Sequence, residues 1–171
     1  MMDGETSFGV RVAKESFNFS VAHFLIFDAA RREELHGHNY RVSVSLDGII
    51  GDDGVVLDFL VLKPILTSIC QEIDHRTVFP ARSRHLSIER HGGSVEVRFG
   101  GERFLFPEND VVLLPIDNTS TEHFAHWVSD RLVAELVERG LLFRIHRLEV
   151  DVSESPGQSA FFIRRFGPID A

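Results

Sequence analysis

The chain has 171 residues, of which 43% are hydrophobic and 26% charged, ordinary proportions for a soluble globular protein. Its formal net charge of −8 argues against a general nucleic-acid-binding surface, although a local basic pocket for a phosphorylated ligand is compatible with it. The single cysteine, Cys70, excludes an internal disulfide and fits a reducing compartment. Because no long apolar run could span a membrane and residues 1–9 lack signal-peptide character, we expect a cytoplasmic protein with one domain over residues 1–171.

The first half of the chain predicts two strands followed by a helix. Hydrophobic residues alternate over 10–21 and again over 40–46, which is the strand pattern, and a polar connection over 28–34 separates the two runs. Apolar positions at helical spacing then predict a helix over residues 59–73, with Asp58 as its N-cap.

Residues 80–107 have a different character. Two short alternating runs, 94–99 and 102–106, are joined by Gly100-Gly101, which is a strong hairpin signal. We therefore expect this region to form a hairpin inserted between the two helices.

The last third of the chain predicts a second helix and two further strands. The spacing from Thr119 to Glu122 is that of a capping box, and Gly140 is the expected helix stop. Alternating runs over 144–152 and 159–166 complete the pattern. The predicted fold class is α+β, with a four-stranded antiparallel sheet, two helices on one face and the inserted hairpin.

Three histidines form a candidate metal site. His36 and His38 stand two residues apart at the mouth of the second strand, so both imidazoles can project from one face. His23 ends the first strand, and pairing of the two strands would bring it alongside. Three imidazoles with an open fourth position are the ligand set of a catalytic zinc. The alternative is three polar residues near strand ends, and the spacing alone leaves both interpretations open.

Acidic and basic groups near this motif are candidates for proton transfer. Glu33, three residues before His36, could act as a base beside a metal ion, or could be a solvated loop carboxylate. Asp74 and His75 follow the first helix and could form an oriented acid/base pair, or His75 could simply be favoured by the helix dipole.

A third group of residues is suited to ligand recognition. Glu154 ends an apolar strand, where a carboxylate can accept two parallel hydrogen bonds from a ring N–H and an exocyclic amine, or be an exposed turn residue. Thr121 and Glu122 lie in the first turn of the second helix, where capping alone would explain them. Cys70 lies on the apolar face of the first helix and is expected in the core.

A series of motifs, taken together and in order, resembles the 6-pyruvoyl-tetrahydropterin synthase superfamily, which includes the 6-carboxytetrahydropterin synthases. The motifs are Phe19-Ser20-Val21-Ala22-His23, Leu35-His36-Gly37-His38-Asn39-Tyr40, Val56-Leu57-Asp58-Phe59, Leu62-Lys63, Ile73-Asp74-His75, Ser120-Thr121-Glu122 and Val152-Ser153-Glu154-Ser155. The resemblance covers nearly the whole chain. It implies the tunnelling fold, or T-fold, in which protomers pair their sheets into a barrel. It also implies a homohexamer of two stacked trimers with active sites between subunits.

The resemblance also implies roles for individual residues. They are zinc binding by His23, His36 and His38, proton transfer by Asp74 and His75, and anchoring of a pterin ring by Glu154 with help from Thr121 and Glu122.

One departure from the family pattern concerns the base. The usual family nucleophile or base is a cysteine a few residues before the H-G-H motif, but the loop over 29–35 reads A-A-R-R-E-E-L. Glu33 instead forms an E-x-x-H-G-H arrangement similar to the subgroup known from malaria parasites, which also carries an extra hairpin and an S-E-S-P stretch. That similarity implies a zinc-dependent lyase that cleaves the side chain of 7,8-dihydroneopterin triphosphate to 6-hydroxymethyl-7,8-dihydropterin, a folate precursor, with Glu33 as base.

Two alternatives stay open. The chain could make a 6-pyruvoyl- or 6-carboxy-pterin with Glu33 as a substitute base, or it could bind pterins without turnover. The presence of all three ligand histidines and of Asp74-His75 favours an enzyme.

Overall fold

The structure is a computed structural model that describes residues 7–167, and the predicted domain limits at residues 1 and 171 lie outside this range. In chain order its strands and helices are β1 Phe8–His23, β2 His36–Gly48, α1 Phe59–Gln71, β3 Arg76–Pro80, β4 Leu86–His91, β5 Ser94–Phe99, β6 Glu102–Pro107, β7 Val111–Leu114, α2 Thr121–Glu138, β8 Ile145–Ser155 and β9 Gln158–Arg165. Neither of these helices combines the length and the hydropathy that a membrane crossing requires. That residues 1–171 form one domain stays a prediction.

Six of the described strands form one sheet in the order β7-β3-β1-β2-β8-β9. The four strands predicted from the sequence are its antiparallel part, β1-β2-β8-β9. The sheet differs from the prediction because β3 and β7, of five and four residues, add to it in parallel beside β1. Runs this short show too little alternation to be recognised as strands.

Both helices cover the same face of this sheet. Phe19 lies opposite Tyr40 and Val42 opposite Val152, and cross-strand partners point to the same face. All four side chains are buried and share one apolar cluster with the buried residues of both helices. Cys70 of α1 belongs to this cluster, as expected. The predicted α+β layout with two helices on one face is therefore confirmed.

The helix ends follow the sequence signals with one exception. The Asp58 carboxylate accepts a hydrogen bond from the Leu60 amide at 2.7 Å, which is the predicted N-cap of α1. Gly140 ends α2 with a φ of 65°, a conformation that glycine adopts without strain. The predicted capping box at Thr119 is wrong, because Ser120 is the N-cap residue and the Thr119 hydroxyl bonds to the Phe24 carbonyl at 2.8 Å.

The predicted hairpin is present as β5 and β6, and β4 extends it to a three-stranded antiparallel sheet. Its apolar face, with Val95, Val97 and Phe99, packs on Phe24 and Ile26 in a second buried cluster. Those two residues belong to the segment between β1 and β2. The three-stranded sheet therefore lies against the connection that leads from the first histidine of the candidate site to the other two.

Candidate active site

The pairing of β1 with β2 brings the three histidines together. His23 lies opposite His36, and His38 lies opposite Val21, so all three share the face that carries the core. One ring nitrogen of each lies within 4.8 Å of the others. His23 is buried, whereas His36 and His38 are partly exposed at the end of the sheet. The spacing therefore produces the predicted cluster.

Backbone carbonyls orient two of the rings. Nδ1 of His23 lies 3.0 Å from the Thr119 carbonyl oxygen, and Nδ1 of His36 lies 2.7 Å from the Glu34 carbonyl oxygen. A carbonyl only accepts hydrogen bonds, so each Nδ1 carries a proton, and in the neutral ring the lone pair is then on Nε2. Such hydrogen bonds on the far nitrogen are the usual support of histidines that bind metals.

The charge state of the buried histidine also suits a metal. Burial, together with the neighbouring His36 and His38, lowers the pKa of His23 to about 4. The imidazole is therefore neutral near pH 7 and free to donate a lone pair. The Tyr40 hydroxyl lies 3.0 Å from Nε2 of His23 and donates to it, since burial raises the pKa of Tyr40 and keeps the phenol protonated. A cluster of three imidazoles, two of them oriented by backbone carbonyls on Nδ1, fits zinc.

Glu33 lies beside this cluster. Its Oε2 is 3.9 Å from Nε2 of His36 and accepts a hydrogen bond from the Leu25 amide at 3.2 Å. The Glu33 amide in turn donates to the Leu25 carbonyl at 2.9 Å. The loop thus folds back on itself and directs the Glu33 carboxylate at the histidines, while the neighbouring Glu34 is exposed.

Glu154 reaches the site from β8. Its Oε1 lies 2.7 Å from Nε2 of His38. Val152, two residues earlier, pairs with Val42 on the core-facing side, so alternation places Glu154 on that side as well. The structure therefore brings the residue predicted to anchor a ring next to the third histidine.

The start of α2 covers the other side of the site. The Asn118 side chain accepts from the Ile26 amide at 3.1 Å and donates to the Ile26 carbonyl at 2.9 Å, which fixes the segment after His23. The Thr121 hydroxyl is hydrogen-bonded to the Tyr40 phenol and so lies in the site. Glu122 is exposed, and a hydrogen bond with Ser120 lowers its pKa. Among the described residues, none of its contacts is with His23, His36 or His38.

Asp74 and His75 form the predicted pair. Nδ1 of His75 lies 2.9 Å from Asp74 Oδ2, and Asp74 Oδ1 accepts from the Ser20 amide at 2.8 Å. Burial raises the pKa of Asp74, but these hydrogen bonds outweigh burial and lower it. His75 has a φ of 58°, the one positive value of a non-glycine residue over 7–167. Such strain tends to occur at functional sites.

The pair does not join the histidine cluster within the chain. In the described range, no hydrogen bond or ion pair of Asp74 or His75 reaches the three histidines, Glu33 or Glu154. The His75 side chain is 82% exposed, so it faces outward from its own chain.

Sequence reasoning missed Tyr40, Asn118, Thr119 and Arg32. Arg32 lies beside Glu33, and its guanidinium packs against the rings of Phe24 and Phe104. Asn118 and Thr119 precede a helix, a position that the sequence attributes to capping. Their real partners are more than ninety residues away in the chain, a relation that no local pattern reveals.

Comparison with known proteins identifies related chains. The family model described as 6-pyruvoyl tetrahydropterin synthase matches residues 11–165. A protein of Methanocaldococcus jannaschii named putative 6-carboxy-5,6,7,8-tetrahydropterin synthase is 32% identical over 145 residues, covering 84% of this chain and 88% of its own. A protein of Pyrococcus furiosus named dihydroneopterin monophosphate aldolase is 30% identical over 112 residues, covering 62% and 68% of the two chains.

Solved structures show the same fold. The 6-pyruvoyl tetrahydropterin synthase of Plasmodium falciparum superposes with a TM-score of 0.87 at 34% identity, covering 95% of this chain and 100% of its own. The Plasmodium vivax protein of that name gives 0.88 at the same identity and coverage, in a variant that replaces a glutamate, described as a catalytic residue, with alanine. The T-fold expected from the sequence is thereby confirmed.

Proposed function

The chain belongs to the 6-pyruvoyl tetrahydropterin synthase family, and on this premise we propose that it is a zinc-dependent lyase. The substrate is 7,8-dihydroneopterin triphosphate, and cleavage of its side chain yields 6-hydroxymethyl-7,8-dihydropterin, a precursor of folate. The observation that carries the proposal is the Glu33 carboxylate at 3.9 Å from His36, in a loop without cysteine. A relative named as an aldolase and a Plasmodium relative with a catalytic glutamate support it.

His23, His36 and His38 would hold the zinc ion. Their fit rests on the clustered ring nitrogens and on the carbonyl partners that orient His23 and His36 through Nδ1. When bound, zinc supplies positive charge that lowers the pKa of a hydroxyl on the substrate side chain.

Glu33 then serves as the base. It removes the proton from the hydroxyl on the second side-chain carbon, the bond from that carbon to the first breaks, and the electron pair passes into the dihydropterin ring. The second carbon leaves as an aldehyde that carries the rest of the side chain. The electron pair then returns from the ring to the first carbon, which takes up a proton and becomes the hydroxymethyl group. A carboxylate in this place differs from a thiolate in reach and basicity, so a different proton is removed from the same substrate.

Glu154, Thr121 and Glu122 would bind the ring. The Glu154 carboxylate accepts paired hydrogen bonds from a ring N–H and the exocyclic amine, and its contact with His38 places the ring beside the metal ligands. The Thr121 hydroxyl is near enough to Tyr40 to assist. Glu122, which is exposed within its own chain, is the weakest member of this set.

Asp74 and His75 would complete the site of a neighbouring copy. Their separation from the histidines within the chain and the exposure of His75 support this arrangement. We propose a homohexamer of two stacked trimers, in a cytoplasmic enzyme, and in such an assembly His75 supplies or accepts a proton across the subunit boundary.

The test is product analysis with metal-loaded protein and 7,8-dihydroneopterin triphosphate. Wild type should release 6-hydroxymethyl-7,8-dihydropterin. Glu33→Ala should lose about 10²–10⁴-fold in rate, the usual contribution of a general base, while keeping zinc and pterin binding. Glu34→Ala is the matched control, since Glu34 is adjacent and exposed, and should keep the wild-type rate. Wild-type turnover in Glu33→Ala would contradict the assignment.

A second candidate product follows from the Methanocaldococcus jannaschii relative. Its name is that of a 6-carboxytetrahydropterin synthase, and it matches over most of this chain. The same chromatography separates the outcomes, because a carboxypterin and a hydroxymethylpterin elute differently. Metal analysis of His36→Ala and His38→Ala, compared with wild type, tests the zinc ligands in parallel.

A further inference from the structure

Arg32, the residue before Glu33, carries a guanidinium that packs against two neighbouring aromatic rings. Its Cζ lies 4.9 Å from the centroid of Phe24 and 4.8 Å from that of Phe104, and its side chain is 16% exposed. Enclosing a cation costs free energy unless its donors are paired, and the ring faces offset part of that cost. The two rings come from different parts of the molecule, since Phe24 follows the ligand His23 and Phe104 belongs to β6.

The donors of Arg32 join the same two parts. Nε and Nη2 both lie 2.5 Å from Oε2 of Glu102 in β6, while Nη1 donates to the Glu33 carbonyl at 2.6 Å. The guanidinium is planar and its donors keep a fixed arrangement. Anchoring one edge on Glu102 therefore fixes the point at which the other edge holds the backbone of Glu33.

Further hydrogen bonds connect residues within the loop over 25–33. Ile26 and Arg32 form an isolated bridge, and the Leu25 amide and carbonyl pair with Glu33. These bonds join the loop to itself, whereas Arg32 joins it to the three-stranded sheet. A shift of the Glu33 backbone would carry its carboxylate away from His36.

We propose that Arg32 is a positioning residue, through which the three-stranded sheet holds Glu33 at the distance that proton transfer requires. The proposal rests on the proposed function of Glu33 as the base. It gives the three-stranded sheet a part in turnover although that sheet contributes none of the proposed catalytic residues.

Arg32→Met tests this connection, because methionine keeps an apolar stem against the two rings and removes every donor. We expect kcat to fall roughly 10²-fold, the loss associated with a misplaced catalytic group, with KM and zinc content nearly unchanged. Glu102→Ala removes the far anchor at a half-exposed site and should lower kcat by a smaller factor. Arg31→Met is the matched control, because the Arg31 side chain is 74% exposed and pairs with Asp28 on the loop surface.

A double-variant comparison separates positioning from a general effect on the fold. In a Glu33→Ala background, Arg32→Met should cause no further loss of kcat, because the group that it positions is gone. An equal loss in both backgrounds would overturn the proposal, as would wild-type kcat in Arg32→Met.

Hydrogen exchange gives a readout that does not depend on turnover. Amides over residues 25–33 should exchange faster in Arg32→Met and in Glu102→Ala than in wild type or Arg31→Met, while the amides of α2 should not change. If Glu33→Ala retains turnover, Glu33 is not the base. Hydrogen exchange still tests whether Arg32 connects the loop to the three-stranded sheet. Faster exchange confined to the loop supports the connection, and unchanged exchange overturns it.

Discussion

At the scale of single residues, the contact of Glu154 with His38 would join the proposed ring binding to the proposed metal centre. The two side chains are about one-third exposed, and their polar atoms lie 2.7 Å apart. A bound ring that donates to Glu154 would therefore place its side chain near the histidines. The three imidazoles do not need Glu154 to cluster, because strand register alone brings them together.

Glu154→Ala should weaken pterin binding and leave zinc content intact. Loss of the carboxylate leaves the ring's N–H and amino donors unpaired in a partly dry pocket, at a cost of about 2–5 kcal/mol. Calorimetry with 7,8-dihydroneopterin measures the affinity, and metal analysis measures the zinc. Asp151→Ala is the control on the same strand, since Asp151 points to the opposite face and bonds to Ser159. Equal pterin affinity in wild type and Glu154→Ala would remove Glu154 from the binding site.

Only part of this site could be predicted from the sequence. Strand alternation and the short H-x-H spacing are local, so His23, His36 and His38 were accessible, and Glu33 was accessible through its distance from His36. Arg32 was not, because its role depends on Glu102, seventy residues later in the chain. An arginine in a polar connection is ordinarily an exposed loop residue, so nothing local singles out Arg32.

At the scale of elements, the helix ends and strands that were predicted correctly are those that local sequence signals specify. The helix N-cap at Asp58 and the stop at Gly140 were predicted correctly because each acts within one turn. β3 was missed, and β7 was left out of the predicted sheet although residues 111–116 are short, apolar and extended in the sequence pattern. Both strands gain their place by pairing on the side of β1, which their own short sequences do not reveal. The start of α2 was misplaced because Thr119 bonds to Phe24 in preference to its own helix.

Asp58→Ala should destabilise the fold through the first turn of α1. The carboxylate satisfies the Leu60 amide, and loss of such a cap typically costs about 1 kcal/mol. Urea unfolding at fixed protein concentration should show a lower midpoint with the same slope. Asp52→Ala, in the exposed loop before α1, is the control. Equal midpoints for the two variants would show that the cap contributes nothing.

At the scale of the whole molecule, two features favour assembly with further copies of the chain. They are the open edges of the sheet and the separation of Asp74 and His75 from the histidine cluster. In the described chain the six-stranded sheet ends in β7 on one side and β9 on the other. Open edges favour pairing with further strands, and a closed ring of sheets removes them. The same closure would bring Asp74 and His75 of one copy to the histidines of another.

Mixed assemblies test this shared site. Glu33→Ala and His75→Ala should each be nearly inactive alone. When the two are co-expressed, random assembly should give about one quarter of the sites an intact Glu33 and an intact His75, with matching recovery of activity. If each chain used only its own residues, every site would carry one lesion and nothing would recover. Light scattering should give the mass of six chains, and a monomer would rule out the arrangement.

The burial of Cys70 has a consequence for chemical durability. Burial, together with the charge of Asp74, raises the pKa of its thiol to about 12, so the thiolate form is scarce at physiological pH. Peroxides and disulfides react with thiolates that are accessible, and this thiol is neither ionised nor exposed. With a carboxylate as the base and the only sulfhydryl enclosed in α1, the proposed enzyme would keep working through oxidative stress that silences a site built on a reactive cysteine.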